Sequence, residues 1–451
     1  MISVLASAFG KNKTITYSIP ILNKLKTDQC YSVRVAILSN LEPICEVINI
    51  STKLLIFPIW EYLVNDEIWN VRKACVNSIV TLSQFMKNKD RMELVYYFCK
   101  LIDDNVRWVK LAAYLIVGKF ITTFSKDSIV EILIYYFKNL SISCANDKHY
   151  LINNQVSKEN DHFYDCDMIT KCAFDFPAVL IALGKNGWTN LRETFIILTQ
   201  DVNVQTRHSI ASSLHIIATV IGAEEIEKTL FPVIHEYTTD DNFVKLELFS
   251  NIANILRLTT NEIRDRNMWL INYVCEIKKN DLFWRFRETI ASQLGEITTL
   301  YSLDIITNKL IPTIKLLLTD PVATVRRAMY KQIGFVITSL LHNEKEKRLF
   351  CDYLLSLATK HYQHKIIFSK MCPIIFDISN EEFITYFLPS LLNLANINES
   401  HTTVVRIQAI KTLLRINTKV KNIQITEILH HLHKNKDSEM ISLLKDQTHL
   451  K

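Results

Sequence analysis

An all-α array of repeated helix pairs is the fold class that three features of the sequence predict. The composition is 49% hydrophobic with 7 glycines and 9 prolines in 451 residues, which suits long helices joined by short turns and argues against an all-β domain. An aspartate and an arginine recur at a fixed offset of six, as Asp28 to Arg34, Asp66 to Arg72, Asp201 to Arg207, Asp281 to Arg287 and Asp320 to Arg326. The basic positions are spaced by 38 (Arg34 to Arg72), 35 (to Arg107), 38 (Arg207 to Lys245), 42 (to Arg287) and 39 (to Arg326), with 80 more to Arg406. That period belongs to HEAT and armadillo repeats, so the expectation is an α-solenoid superhelix of about ten helix-pair repeats.

The stretch Asp103 to Ala113 shows one unit. Val109, Ala112, Ala113, Ile116 and Phe120 fall at helical spacing and predict a buried face, with the alanines allowing close packing. Asp103 is read as the turn aspartate and Arg107 as the anchor. A small β-branched residue precedes most basic positions (Val33, Val71, Val106, Val244, Val325, Val405, with Thr206 a near match), and Phe286 is the exception. Ahead of the anchors, Pro58, Pro232, Pro312 and Pro389 recur inside apolar segments, where a proline should bend the first helix of each pair.

The 100 residues from Arg107 to Arg207 hold two units plus a surplus, assigned to the polar stretch Ser141 to Asp165. The expected organisation is 1–140 as N-terminal repeats, 141–166 as a polar loop or insert, and 167–451 as C-terminal repeats, stacked as one continuous solenoid. The unit around Lys365 is degenerate.

Recurrence in every unit is what a stacking device predicts, so Asp28, Arg34, Asp66, Arg72, Asp103, Arg107, Asp201, Arg207, Asp281, Arg287, Asp320 and Arg326 are assigned to holding repeats together. Turn residues outside that template are the candidates for binding another protein: Trp69, Asn70, Asp104, Trp108, Lys110, Trp284 and Arg285. Tryptophan beside arginine suits an interface hot spot, although Phe286 and either Trp108 or Trp284 could equally pack between adjacent repeats.

Net charge is +6, without the long runs of like charge that mark a nucleic-acid arm or a basic membrane patch, so the partners expected are proteins, not nucleic acid or membrane. The apolar start, Met1 to Phe9, lacks a basic leader, and the charge-free stretch His208 to Ala223 falls short of the ~20 residues a membrane helix needs. Ten cysteines are scattered without a C-x-x-C pair, which implies a reducing compartment. Gly184 and Gly187 fit no phosphate-binding fingerprint and read as a helix terminator. His430 and His433 share a helix face without carboxylate or thiol ligands suitably spaced, and Cys166 and Cys172 read as ordinary thiols. No nucleophile, base and orienting group form a set, so the expectation is a non-enzyme with no metal and no cofactor.

The block Asn105 to Ala113 with Phe120-Ile-Thr-Thr-Phe, the block Phe176 to Trp188 with Leu191-Arg-Glu-Thr, and Trp284-Arg-Phe-Arg-Glu resemble the protein phosphatase 4 regulatory subunit 1 family. Phe387 to Asn396 and Lys436-Asp-Ser-Glu continue the likeness, which runs in order from about Asp28 over most of the chain. The resemblance implies a non-catalytic HEAT-repeat subunit that binds the phosphatase 4 catalytic subunit through its inter-helix turns and recruits phosphoprotein substrates, in the cytoplasm and also the nucleus. Family members can carry a long acidic insertion where this chain has only Ser141 to Asp165. The alternative is an importin-type HEAT-repeat nuclear transport carrier.

Overall fold

A computed structural model describes residues 2–49, 52–142, 162–276, 283–396, 401–419 and Thr426, and the secondary structure of these residues is helical throughout, without strand. Helix follows helix in antiparallel pairs, and the second helix of each pair carries the recurrent basic residue. In the first compact unit, Met1–Val233, these second helices are α1 (Tyr31–Ser39), α2 (Trp69–Gln84), α3 (Arg107–Ile121), α4 (His162–Leu183) and α5 (Val204–Ile221). In the second unit, Ile234–Lys451, they are α6 (Asn242–Ser250), α7 (Trp284–Ala291), α8 (Ala323–Lys331), α9 (Tyr362–Ile378) and α10 (Thr403–Asn417). Within each unit every one of them packs on the next. The chain is therefore an all-α solenoid of repeated helix pairs.

The β-branched residue before the basic position is buried in most second helices, although Val33 in α1 is only half-covered. Val71, Val109, Val244, Val325 and Val405 are fully buried, as is Thr206. Full burial of a valine side chain contributes about 1.5–3 kcal/mol, so the repeated valine alone goes far toward fixing which face of each helix turns inward. Phe286 takes the same role in α7, with its ring edge-on to Phe249 at 5.0 Å. In α3, Val109, Ala112, Ala113 and Phe120 are buried as the spacing predicts, but Ile116 is only partly covered and Val117 takes the inner position.

Prolines interrupt first helices by a recurrent device. Pro20, Pro232, Pro312 and Pro389 each open a fresh helical segment directly after a widened turn, at 14–18, 226–230, 306–310 and 383–387. The residue before each proline donates its amide to the carbonyl five back, as Ile311 does to Ile306. Widening the turn makes room where the ring would otherwise crowd the preceding carbonyls. Pro58 opens the helix Phe57–Leu63, whose Trp60 is buried and donates its indole N–H to Ser78 Oγ at 3.0 Å.

The helices α3 and α4 come unusually near each other at Gly118. A Cβ there would lie 2.6 Å from the Cβ of Asp175, so only glycine permits the approach. Gly184, at φ 68°, ends α4 in a conformation that glycine adopts without strain. Of the expected insert, Ser141 and Ile142 belong to the helix Glu131–Ile142, residues 162–166 belong to α4, and 143–161 lie outside the described residues. Asp281, His430, His433 and the segment from Lys436 also lie outside them.

Candidate protein-binding surface

The turns between paired helices form a hydrogen-bonded ladder. Each turn aspartate first organises its own turn, its carboxylate accepting the amide two residues on: Cys30 to Asp28 at 2.8 Å, Ile68 to Asp66 at 2.9 Å, Asn203 to Asp201 at 2.7 Å and Val322 to Asp320 at 2.8 Å. This is the side-chain turn that aspartate forms ahead of a helix. The arginine six residues on reaches back to the aspartate's own carbonyl, from Arg34, Arg72, Arg207 and Arg326 at 2.6, 2.9, 2.7 and 2.6 Å.

Its remaining nitrogens reach forward, so that the guanidinium clamps two successive repeats. Arg34 grips the carboxylate of Asp66 at 2.7 and 3.0 Å, Arg72 that of Asp104 at 2.6 and 2.9 Å, and Arg287 that of Asp320 at 2.7 and 3.3 Å. Such two-toothed pairing fixes angle as well as distance. The bond to its aspartate holds the guanidinium of Arg34, and likewise of Arg72, above the usual arginine range against the opposing effect of burial.

The register in the third repeat differs from the sequence expectation. Asp104, not Asp103, accepts the Arg72 fork and the amide of Val106 at 2.8 Å, while Asp103 is exposed. Because α3 starts at Arg107, the position matching Arg72 is Lys110, which follows buried Val109 just as Arg72 follows buried Val71. The spacing from Arg72 to Lys110 is 38, the period of the earlier pair, and Arg107 is an exposed first-turn residue. Burial opposes ionisation of Asp104, but the bonds from Arg72 and Val106 and the charges of Arg72 and Lys110 outweigh it and hold the carboxyl below its usual range.

The remaining binding candidates fall into two groups. Trp108 on α3 is 41% exposed with the Lys73 ammonium 5.9 Å from its ring, and together with Leu111, Leu115, Ile116 and Lys119 it lines a 280 Å³ groove between α2 and α3. Trp69 and Asn70 are half-buried at the start of α2. In the second unit Trp284 is half-buried, and exposed Arg285 lies over its ring at 4.7 Å. Arg285 borders a 570 Å³ groove between α6, α7 and α8 that also holds Glu247, Glu288, Arg327 and Lys331.

Sequence reasoning missed a further groove of 250 Å³ between α8 and α9, lined by Arg327, Tyr330, Tyr362 and Lys370. The available signal was the second basic residue in Arg326-Arg327, one position beyond the anchor. Among the described residues no group of three or more His, Cys, Asp or Glu is placed to hold a metal ion, and no helix is long and apolar enough to cross a membrane. Cys172 is buried, which pushes its thiol well above the usual range.

Residues 172–277 match the family described as the middle domain of protein phosphatase 4 regulatory subunit 1, and residues 56–86 match a HEAT repeat. Serine/threonine-protein phosphatase 4 regulatory subunit 1 of Mus musculus is 25% identical over 257 residues, covering 55% of this chain and 26% of that protein. Regulatory subunit 4 of the same enzyme class from Mus musculus is 22% identical over 461 residues, covering 95% of this chain and 52% of that protein. The chain thus matches about a quarter to a half of the length of these relatives. Among solved structures, importin beta superposes with a TM-score of 0.57 at 13% identity over 93% of this chain and 54% of that one. Yeast importin-beta (Kap95p) gives 0.52 at 15% identity over 94% and 56%. Likeness at such identity shows the fold. The chain is a HEAT-repeat α-solenoid, related in sequence at low identity to protein phosphatase 4 regulatory subunit 1 and sharing its architecture with importin beta.

Proposed function

We propose that the chain is a non-catalytic scaffold that binds the phosphatase 4 catalytic subunit through its inter-helix turns and brings phosphoprotein substrates to it, in the cytoplasm and the nucleus. The observation that carries this reading is the match of residues 172–277 to the middle domain of regulatory subunit 1, reinforced by the relation to two regulatory subunits of one phosphatase. The Asp–Arg ladder supports it physically. It holds successive turns in fixed register, so residues such as Trp108 and Arg285 are presented on rigid supports. Recognition by such a protein is positional: it raises the local concentration of substrate at a catalytic subunit without contributing a reacting group.

A second reading, an importin-type carrier, is supported by the fold likeness to importin beta, which spans 93% of the chain. Affinity capture of the tagged chain from cells, read by mass spectrometry, separates the two. Recovery of the phosphatase 4 catalytic subunit is the result expected. Its absence, with a Ran-family GTPase or nucleoporins in its place, would favour the carrier.

A further inference from the structure

The groove between α8 and α9 differs from its neighbour in charge. The groove bordered by Arg285 mixes cations with Glu247 and Glu288, whereas no carboxylate lines the one between α8 and α9. Its cations are Arg326, Arg327 and Lys370. Arg326 is buried and spent on the carbonyls of Asp320 and Pro321 at 2.6 and 2.8 Å, so it contributes field rather than hydrogen bonds. Arg327 is exposed one residue on, and Lys370 faces it half-buried from the next repeat. Burial, then the charges of Arg327 and Arg326, hold the Lys370 ammonium below its usual range, which marks a spot where positive charge is uncompensated. Two phenols, Tyr330 and Tyr362, flank the cations and can donate hydrogen bonds.

We propose that this groove binds a phosphorylated side chain on a segment of a partner protein, with Arg327 forking two phosphate oxygens and Lys370 neutralising the second charge. A dianion answers both cations, while a single carboxylate would leave one of them opposed only by water. The 250 Å³ volume suits one modified side chain and its immediate neighbours, not a folded domain. A nucleic-acid strand fits less well, because continuing across α8 toward α7 it would meet Glu288 and Glu247. The inference rests on the proposed scaffold role for the kind of partner, since it gives that role a place where a phosphoprotein can be held.

The test uses the full chain and an immobilised library of phosphoserine and phosphothreonine peptides, each paired with its unmodified and its glutamate-substituted form. Phosphorylated members should bind about tenfold or more tightly than either counterpart, and Arg327→Gln should remove about tenfold of that affinity with the thermal midpoint unchanged. Lys370→Gln, at a less exposed position, should act in the same direction. Equal retention of glutamate and phosphorylated peptides, or a preference that survives both substitutions, overturns the proposal. The same preparations are assayed for capture of the phosphatase 4 catalytic subunit. Capture without phosphopeptide preference defeats this inference alone, and phosphopeptide preference that both variants abolish, without capture, upholds it while defeating the phosphatase reading.

Discussion

Arg287 and Asp320 meet at 2.7 Å with side chains 3% and 0% exposed, an ion pair closed off from water between two successive turns. Removing one member strands the other's charge, so Asp320→Ala should cost about 3–5 kcal/mol, well above the loss at a surface pair. The corresponding pair Arg34–Asp66 retains 13% and 7% exposure, and water can partly solvate a stranded partner there. Asp66→Ala should therefore cost less, about 1–3 kcal/mol. Urea unfolding of the two variants checks the ranking, and equal losses would contradict it.

Asp104 should matter and its neighbour Asp103 should not. Asp104→Ala removes the acceptor for Arg72 and for the Val106 amide, and should destabilise by about 1–3 kcal/mol, whereas exposed Asp103→Ala should stay within about 0.5 kcal/mol of wild type.

The same carboxylate gives a pH signature. Its native pKa lies below the unfolded value of 3.8, so the stability it contributes is present in full above that value and lost as pH falls through the native one. The difference in unfolding free energy between wild type and Asp104→Asn should hold from about pH 7 to 5 and shrink near pH 3. A difference that grows on acidification would contradict the geometry.

Gly118→Ala should push α3 and α4 apart, because the new methyl would overlap Asp175. Both helices are well packed, and a loss of about 1–3 kcal/mol is expected, although alanine has the higher helix propensity. A more stable variant would show that the two helices are not held at this distance.

Trp108 offers the reverse test. Its side chain is 41% exposed, with Lys73 over the ring, beside the groove between α2 and α3, so Trp108→Ala should move the thermal midpoint little while weakening capture of the partner by about tenfold. A large drop in midpoint with unchanged capture would make Trp108 a packing residue.

The pairing of helices was legible because its cause is local: an aspartate that closes a turn, a buried Val or Thr five residues on and an arginine next to it recur at α2, α5 and α8, and other units keep part of the pattern. The error at Asp103 has a physical source. Two aspartates adjoin, and counting from Arg107 chose the wrong one, because an arginine was preferred to the lysine that keeps the offset of six from Asp104. The recurrent prolines were legible, but the widened turn that precedes Pro232, Pro312 and Pro389 depends on backbone hydrogen bonds and leaves no composition signal. The groove of Arg327 and Lys370 was hidden for another reason. Its residues lie on two helices of successive repeats, so the second basic residue of Arg326-Arg327 signals only one side, and its partner Lys370 is distant in sequence.

The central claim, that this solenoid carries the phosphatase 4 catalytic subunit, is tested most directly by mixing the purified chain with the purified catalytic subunit and following sedimentation velocity. A discrete one-to-one complex is expected, its formation weakened by Trp108→Ala or Arg285→Glu while each variant alone sediments as wild type. Two independent boundaries at every ratio tested would contradict it.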